Sequence, residues 1–317
     1  MYRIGIDLGG TNIVAGLVDE NRRIVDKCSI RTEAPRPIED LCADMAELVN
    51  MLLDRNNLRF SELICVGVGV PGTANQSNGH LEDANNLGYE DVPFLEMLQE
   101  KLPVSVYFEN DANAAAWGEY TSGNYTDDSF IMMTVGTGIG GGIILNGKLW
   151  AGINGAAAEF GHMTIRHDGC PCNCGRRGCF EALASANALI SQAQDRMREH
   201  PESILWSICG GDAGKVEAKT VFECAAAGDR IAAETLDQYL CYLAEGVANI
   251  VNIFQPAVVC IGGGVSRAGE RLLVPLREKV SKLIYSKNAD RNTVITLATL
   301  DNDSGILGAA LLGIDGR

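Results

Sequence analysis

Positive charge is what this chain has least of for its size: 26 Lys and Arg face 41 Asp and Glu, leaving a formal charge of −15 over 317 residues. Binding a phosphate backbone releases counterions only where cations cluster, so nucleic acid is disfavoured as a partner. Also absent is any uninterrupted apolar stretch of the ~18 to 20 residues a bilayer span requires. No basic n-region with a cleavage site leads into Asp7. No membrane partner is therefore expected, and the cytoplasm is the expected compartment. Charged residues are only 21% of the chain and hydrophobic ones 46%, which excludes a disordered or collagen-like polymer. No low-complexity linker or block of like charge interrupts the sequence. At roughly twice an average domain length, the chain should place any domain boundary at a hinge between packed elements.

Cysteine, by contrast, is abundant, with eleven residues. Seven of them (Cys28, Cys42, Cys65, Cys209, Cys224, Cys241 and Cys260) are scattered singly in apolar or helical contexts, as buried free thiols would be. The other four crowd into Cys170-Pro-Cys-Asn-Cys-Gly-Arg-Arg-Gly-Cys179. In a reducing compartment such spacing, with glycines to bend the loop, suits thiolates converging on a structural Zn²⁺ better than it suits disulfides. His162 lies close enough in sequence to leave two ligand sets open, four cysteines or three cysteines and the histidine. Either set fills the coordination shell.

Along the chain, β-branched residues predict strands at Tyr2 to Leu8, Asn12 to Val18 and Arg23 to Ile30, a three-strand meander. After Pro37, apolar residues from Ile38 to Leu53 follow a helical period; strands are expected at Leu63 to Val70 and Val104 to Phe108, then a helix over Ala112 to Tyr120. The pattern of strand, glycine turn and strand returns at Phe130 to Val135 and Gly140 to Leu145, as in a diverged duplication. Residues 181 to 254 read as helical, strands follow at Ala257 to Ile261 and Val294 to Ala298, and Ser304 to Leu312 closes as a helix. This alternation predicts an α/β fold.

Three glycine-rich turns stand out. In Asp7-Leu-Gly-Gly-Thr-Asn12, Gly9 and Gly10 let backbone N–H groups approach an anion, Thr11 and Asn12 add donors, and Asp7 can face a divalent cation. Together they suit a phosphate and its Mg²⁺, while a plain hairpin is the structural alternative. The second turn, Gly136 to Gly142, matches a dinucleotide fingerprint, as do Gly67, Gly69 and Gly72. Neither is followed by the helix that this chemistry needs. Gly142 to Lys148 spells a P-loop, but Leu149 lacks the metal-binding hydroxyl. The third turn, Gly262-Gly-Gly264, could admit a flat ring or a ribose. Glu159, His162 and Glu181 flank the cysteine loop and could together accept from and donate to sugar hydroxyls. Asn110 and Asp111 read either as a helix cap or as a substrate-orienting amide and a general base. Gly72 and Asn86 supply further donors or acceptors for a sugar.

These motifs, with Glu109-Asn-Asp-Ala-Asn-Ala-Ala115, Glu159-Phe-Gly-His162 and Cys172 to Glu181, resemble the ROK family of sugar kinases and repressors, its bacterial glucokinases above all. The resemblance spans nearly the whole chain. It implies the two-domain actin- and hexokinase-like (ribonuclease H-like) α/β fold, here divided as residues 1–112 plus 303–317 and residues 113–302. It implies transfer of the ATP γ-phosphoryl group to the 6-hydroxyl of glucose. Asp111 would be the catalytic base, and Gly72, Asn86, Asn110, Glu159, His162 and Glu181 would hold the hexose. Asp7, Gly9, Gly10, Thr11, Asn12, Thr137 and Gly138 would take the ATP phosphates and Mg²⁺, and Gly262, Gly263 and Gly264 would border the adenosine. Zinc would take His162, Cys172, Cys174 and Cys179, leaving Cys170 out. A homodimer is implied as well. Repressor members carry a helix-turn-helix ahead of the first motif, and six residues precede Asp7 here, so the kinase branch is expected. A kinase for N-acetylmannosamine, N-acetylglucosamine, fructose or allose, a noncatalytic sugar sensor and an NAD oxidoreductase are the competing readings.

Overall fold

The computed structural model describes residues 1–84, 87–123, 125 and 127–313. Its first strands are β1 (Tyr2–Leu8), β2 (Asn12–Val18) and β3 (Ile24–Arg31), followed by helix α1 (Ile38–Arg55). α1 buries Leu41, Met45, Leu48, Val49 and Leu52, the stripe its 3.6-residue period foretells. β4 (Leu63–Val70) comes next, its last six residues all buried. Three short strands missed by sequence reading, β5 (Ala74–Asn75), β6 (His80–Ala84) and β7 (Tyr89–Val92), then form a small separate sheet. They are too short and polar to carry an alternation signal. α2 (Phe94–Gln99) leads to β8 (Val106–Asn110), and α3 (Asp111–Ser122) follows without a loop. β8 thus runs two residues beyond the expected strand.

β1 to β4 and β8 make one sheet in the order β3-β2-β1-β4-β8. β1 is antiparallel to β2 and parallel to β4, and β4 is parallel to β8. In that register Asp7 sits opposite Gly69, and Gly69 opposite Glu109. With strands about 4.8 Å apart, the end of β1 and the β8–α3 corner open at the same edge of the sheet, two strands apart. The carboxyl ends of parallel strands are where open α/β sheets bind ligands.

The second half contains β9 (Phe130–Val135), β10 (Ile139–Leu145) and β11 (Lys148–Leu149), then the helices α4 (Phe180–Ala184), α5 (Ala186–Glu199), α6 (Ile204–Ile208), α7 (Ala218–Ala226) and α8 (Arg230–Phe254). β12 (Val258–Gly262), α9 (Glu270–Leu283), β13 (Val294–Leu297) and α10 (Asp303–Ala310) complete the chain. The second sheet has the order β11-β10-β9-β12-β13. In chain succession both sheets run third, second, first, fourth, fifth, as a duplication requires. β10 and β11 are antiparallel and β12 and β13 parallel, like their counterparts in the first sheet.

Two compact units result. One holds Met1–Ile131, Gly142–Ala158 and the chain from Thr299 onward, and the other holds Met132–Gly141 and Glu159–Ala298. In the first, α10 lies directly on backbone: a Cβ on Gly5 would fall 1.9 Å from the Ile306 carbonyl oxygen, and one on Gly308 1.6 Å from that of Ala114 in α3. Glu119, fully buried in α3, accepts from the Thr299 amide (2.8 Å) and hydroxyl (2.7 Å) and from the Leu300 amide (3.1 Å), fixing the approach to α10. In the second unit α8 buries Leu240, Leu243, Val247, Ile250 and Val251 along one face. Of the seven single cysteines five are buried, but Cys28 and Cys241 are partly exposed. No helix among the described residues is long and apolar enough to cross a membrane.

Candidate active site

The first glycine turn joins β1 to β2 as a closed hairpin, with the Gly9 amide donating to the Asn12 carbonyl at 3.0 Å. Sequence reading gave no hint of what braces it. Thr32, wholly buried just past β3, donates its hydroxyl to the Gly9 carbonyl (2.6 Å) and its amide to the Thr11 carbonyl (3.0 Å). Thr11 and Asn12 remain exposed. The turn opens on a cavity of about 580 Å³ lined by Asp7, Gly9, Gly10, Thr11, Asn12 and, unforeseen, Lys27. Asp303 at the start of α10 also lines it and holds the Lys27 ammonium at 2.7 Å. Burial pushes the Asp7 carboxyl above its ordinary range, so a neighbouring cation would be welcome there. The donor set, a carboxylate beside the backbone N–H groups of a glycine turn and one lysine, fits a magnesium-bound phosphate chain.

Asn110 and Asp111 form the β8–α3 corner. The Asn110 side-chain oxygen accepts from the amides of Ala112 (2.9 Å) and Asn113 (3.1 Å), as an N-cap does, and its Nδ2 donates to the Gly72 carbonyl at 3.0 Å. The cap reading and a substrate role coexist, because one Nδ2 hydrogen is left over. Gly72 adopts φ +101°, and a Cβ there would strike the Asp83 carbonyl at 1.7 Å. Asp111 is half-buried, and its Oδ1 accepts from the Ala112 amide at 2.8 Å. Asn86 lies outside the described residues.

In the second unit the Gly136 amide donates to the Gly138 carbonyl at 2.9 Å, leaving Thr137 exposed at the tip of the turn. Glu181 is committed to this turn: its Oε2 accepts from the Ile139 amide at 2.8 Å, and a Cβ on Gly138 would meet that same oxygen at 2.3 Å. The turn is thereby tied to the cysteine loop. Glu159 keeps an exposed face, yet desolvation raises its carboxyl above the ordinary range, with the His162 charge opposing and the Glu181 charge adding. Those influences place the three expected sugar contacts in one neighbourhood.

The cysteine loop settles which thiols converge. The donor atoms of His162, Cys172, Cys174 and Cys179 all lie within 4.8 Å of one another. Cys172 Sγ is 3.7 Å from His162 Nδ1, and Cys174 Sγ is 3.6 Å from Cys179 Sγ. Tetrahedral zinc with Zn–S of about 2.3 Å and Zn–N of about 2.0 Å sets its donors roughly 3.5 to 3.8 Å apart, so the residues fit that ion. Cys170 turns away, its thiol directed to the Ala182 carbonyl at 3.3 Å. The loop doubles back through Cys172 N–H to the Arg176 carbonyl (2.8 Å) and Gly178 N–H to the Cys170 carbonyl (2.8 Å). Gly178, at φ +67°, has the Arg166 carbonyl 1.6 Å from any Cβ. Arg176 braces His162 by donating to its carbonyl at 3.0 Å.

Of the third turn, Gly264 lines a cavity of about 730 Å³ together with Glu217, Phe222, Arg267 and Arg271. Gly262 and Gly263 pack beneath it: a Cβ on the first would meet the Met132 methyl at 2.4 Å, and one on the second the Val135 carbonyl at 2.6 Å. The α7 residues of this cavity were missed because nothing in a short helix far along the chain marks it as facing a glycine turn. Neither dinucleotide fingerprint is followed by a helix, since β10 follows the one and β5 the other, and Lys148 of the P-loop match begins β11.

The sequence profile of the ROK family matches residues 3–315. A glucokinase from Thermotoga maritima is 38% identical over 309 residues, 97% of this chain and 95% of that protein. One from Halalkalibacterium halodurans is 36% identical over 313 residues, 98% and 94% of the two chains. The crystal structure of a ROK family glucokinase from Streptomyces griseus in complex with glucose and AMPPNP superposes with a TM-score of 0.83 at 33% identity, covering 98% of this chain and 99% of that one.

Proposed function

The chain belongs to the ROK family, with its two-domain actin-like sugar-kinase fold, and we propose that it is an ATP-dependent glucokinase that moves the γ-phosphoryl group of ATP to the 6-hydroxyl of glucose. The observation that carries this reading is the shared sheet edge: the phosphate-type turn after Asp7 and the capped corner bearing Asp111 belong to strands in one register. A base and a phosphate site so arranged suit an alcohol attacking phosphorus. The glucokinase relatives, and the neighbour solved with glucose and AMPPNP, support the choice of substrates.

Phosphoryl transfer passes through a loose transition state, so positioning and charge neutralisation supply most of the rate. Asp111 accepts the proton from O6. A carboxylate is a weak base, but the hydroxyl acidifies as the O–P bond forms, and the proton moves late. Asn110 orients the same hydroxyl region from its cap. Glu159 and the free Oε1 of Glu181 accept from sugar hydroxyls, and His162 offers Nε2, its Nδ1 facing Cys172. Gly72 and Asn86 complete the sugar side. Gly10, Thr11 and Asn12, with Thr137 and Gly138, donate to the phosphates, Gly9 closes the turn that presents them through its own amide, and the cavity at Gly264 takes the adenosine above Gly262 and Gly263.

A Mg²⁺ ion at Asp7 would neutralise phosphate charge. Zinc held by His162, Cys172, Cys174 and Cys179 would leave no open coordination position and would serve to hold the loop that carries His162 and Glu181. A homodimer and a cytoplasmic location complete the proposal. Apolar surface for a second copy is offered by exposed Ile253 and Tyr285, brought into one neighbourhood by the bond from the Tyr285 amide to Asn252 Oδ1 at 2.7 Å. The test is ADP release with ATP and a panel of glucose, fructose, allose, N-acetylglucosamine and N-acetylmannosamine. Glucose should have the highest kcat/KM and yield a 6-phosphate; preference for an amino sugar, or no turnover at all, would contradict the proposal.

A further inference from the structure

Behind the Asn110–Asp111 corner lies a carboxylate that the phosphoryl-transfer chemistry does not use. Glu109 is 1% exposed, and so is Asn113 one helical turn later. Burying a charge is costly unless donors converge on it, and here they do. Glu109 Oε1 accepts from the Asn110 amide at 3.0 Å and from Asn113 Nδ2 at 3.2 Å, while Oε2 faces Gln76 Nε2 at 3.4 Å. These three partners all donate, an arrangement suited to an anionic acceptor. Asn113 buries its side-chain oxygen with no hydrogen-bond partner, so its amide is held through Nδ2 alone, by Glu109. Gln76 also donates to the Phe108 carbonyl, and Asn110 Nδ2 reaches Gly72 at 3.0 Å, so the loop from Gly72 to Gln76 joins the same corner.

We propose that Glu109 is the positioning residue for Asp111. One carboxylate grips the backbone immediately before Asp111 and the side chain two residues after it, which fixes the direction in which the first turn of α3 leaves β8. Asp111 itself lies between those two anchors. A helix start free to pivot would displace its carboxylate by a fraction of an ångström or more, and a 1 Å misplacement at a reacting centre costs about a hundredfold. The inference rests on Asp111 acting as the base, and it adds a residue that touches neither sugar nor nucleotide.

The test is steady-state kinetics of the full chain with glucose and ATP for Glu109→Gln, Asn113→Ala and the pair, with glucose affinity measured by calorimetry. Glu109→Gln should lower kcat at least about tenfold while the KM values and glucose Kd stay within about twofold. Asn113→Ala should lower kcat as well, and the double variant should be no worse than Glu109→Gln alone, because both act through one corner. Unchanged kcat in Glu109→Gln, a fall in kcat matched by loss of glucose binding, or effects that multiply in the double variant would each overturn the proposal. Should Glu109→Gln not fold, Gln76→Ala removes a donor from an exposed position, and the same split of kcat from KM is required of it. If Asp111→Asn keeps its turnover the base assignment fails; if that variant is inactive while Glu109→Gln is unimpaired, only the positioning role fails.

Discussion

Replacing Cys172 with serine tests the ligand set of the cysteine loop most sharply when Cys170→Ser is made beside it. Cys172 Sγ lies 3.7 Å from His162 Nδ1 within the four-donor cluster, and the Cys170 thiol points to the Ala182 carbonyl. Structural zinc contributes about 10 to 16 kcal/mol in small zinc domains. Shared over four ligands this is on the order of 3 kcal/mol for each, or more than a hundredfold in zinc affinity. Metal analysis of the purified wild type should give one zinc per chain, Cys170→Ser should keep it, and Cys172→Ser should lose it to a competing chelator. Exposed Arg176 and Arg177 sit at the tip of the loop, so trypsin should cut there in Cys172→Ser and in chelated wild type but not in Cys170→Ser. Glucose affinity should fall about ten- to a hundredfold with the metal, the range for disturbing groups that orient a site. A zinc-free wild type of full stability, or metal lost from Cys170→Ser instead, would refute the reasoning.

Two glycines separate fold from function. Gly308→Ala forces a Cβ to 1.6 Å from the Ala114 carbonyl and should destabilise the first unit by about 3 kcal/mol, the upper range for overpacking, read as a lower denaturation midpoint. Gly10→Ala meets nothing within 4 Å, so its midpoint should not move, while its added methyl faces the phosphate cavity and should raise the KM for ATP about tenfold, equivalent to one lost contact. Acid stability should depend on Asp229, which caps α8 through the Ala232 amide at 2.7 Å and accepts from the Ser203 hydroxyl at 2.9 Å. Burial works to raise its carboxyl, but the hydrogen bonds from Ala232, Ile204 and Ser203 prevail and hold it below the ordinary range. A carboxylate with a depressed folded pKa stabilises above its unfolded pKa of about 3.9 and loses that contribution as pH falls through the folded value. Asp229→Ala should therefore cost about 1 to 2 kcal/mol at pH 7, a deficit that shrinks below about pH 4; a deficit constant down to pH 2 would contradict the assignment.

What the sequence made legible follows from the range of each signal. β1 and β9 end where an apolar run meets glycine, β4 where one meets Pro71 and β2 where one meets the polar Asp19 to Asn21, so their limits match to the residue. β8 outruns its signal, because Glu109 and Asn110 look like loop residues and stay in the strand only through pairing with Gly69 and Val70 of β4. The cysteine loop announced a metal-binding composition but left Cys170 and His162 interchangeable; folding separates them by directing one thiol to a carbonyl. The roles of Thr32, Lys27 and Glu109 escaped notice for a common reason. Each acts on a partner brought near by tertiary structure, or lies hidden inside a strand, where local composition reports nothing about what it touches.

Phosphoryl transfer by way of Asp111 is tested most directly by single-turnover and steady-state ADP release in wild type and Asp111→Asn, with glucose binding followed calorimetrically in both. Wild type should form glucose 6-phosphate and ADP one for one, and the variant should bind glucose normally while its kcat drops at least about a hundredfold, the lower range for loss of a general base. Near-normal turnover in Asp111→Asn would contradict the account.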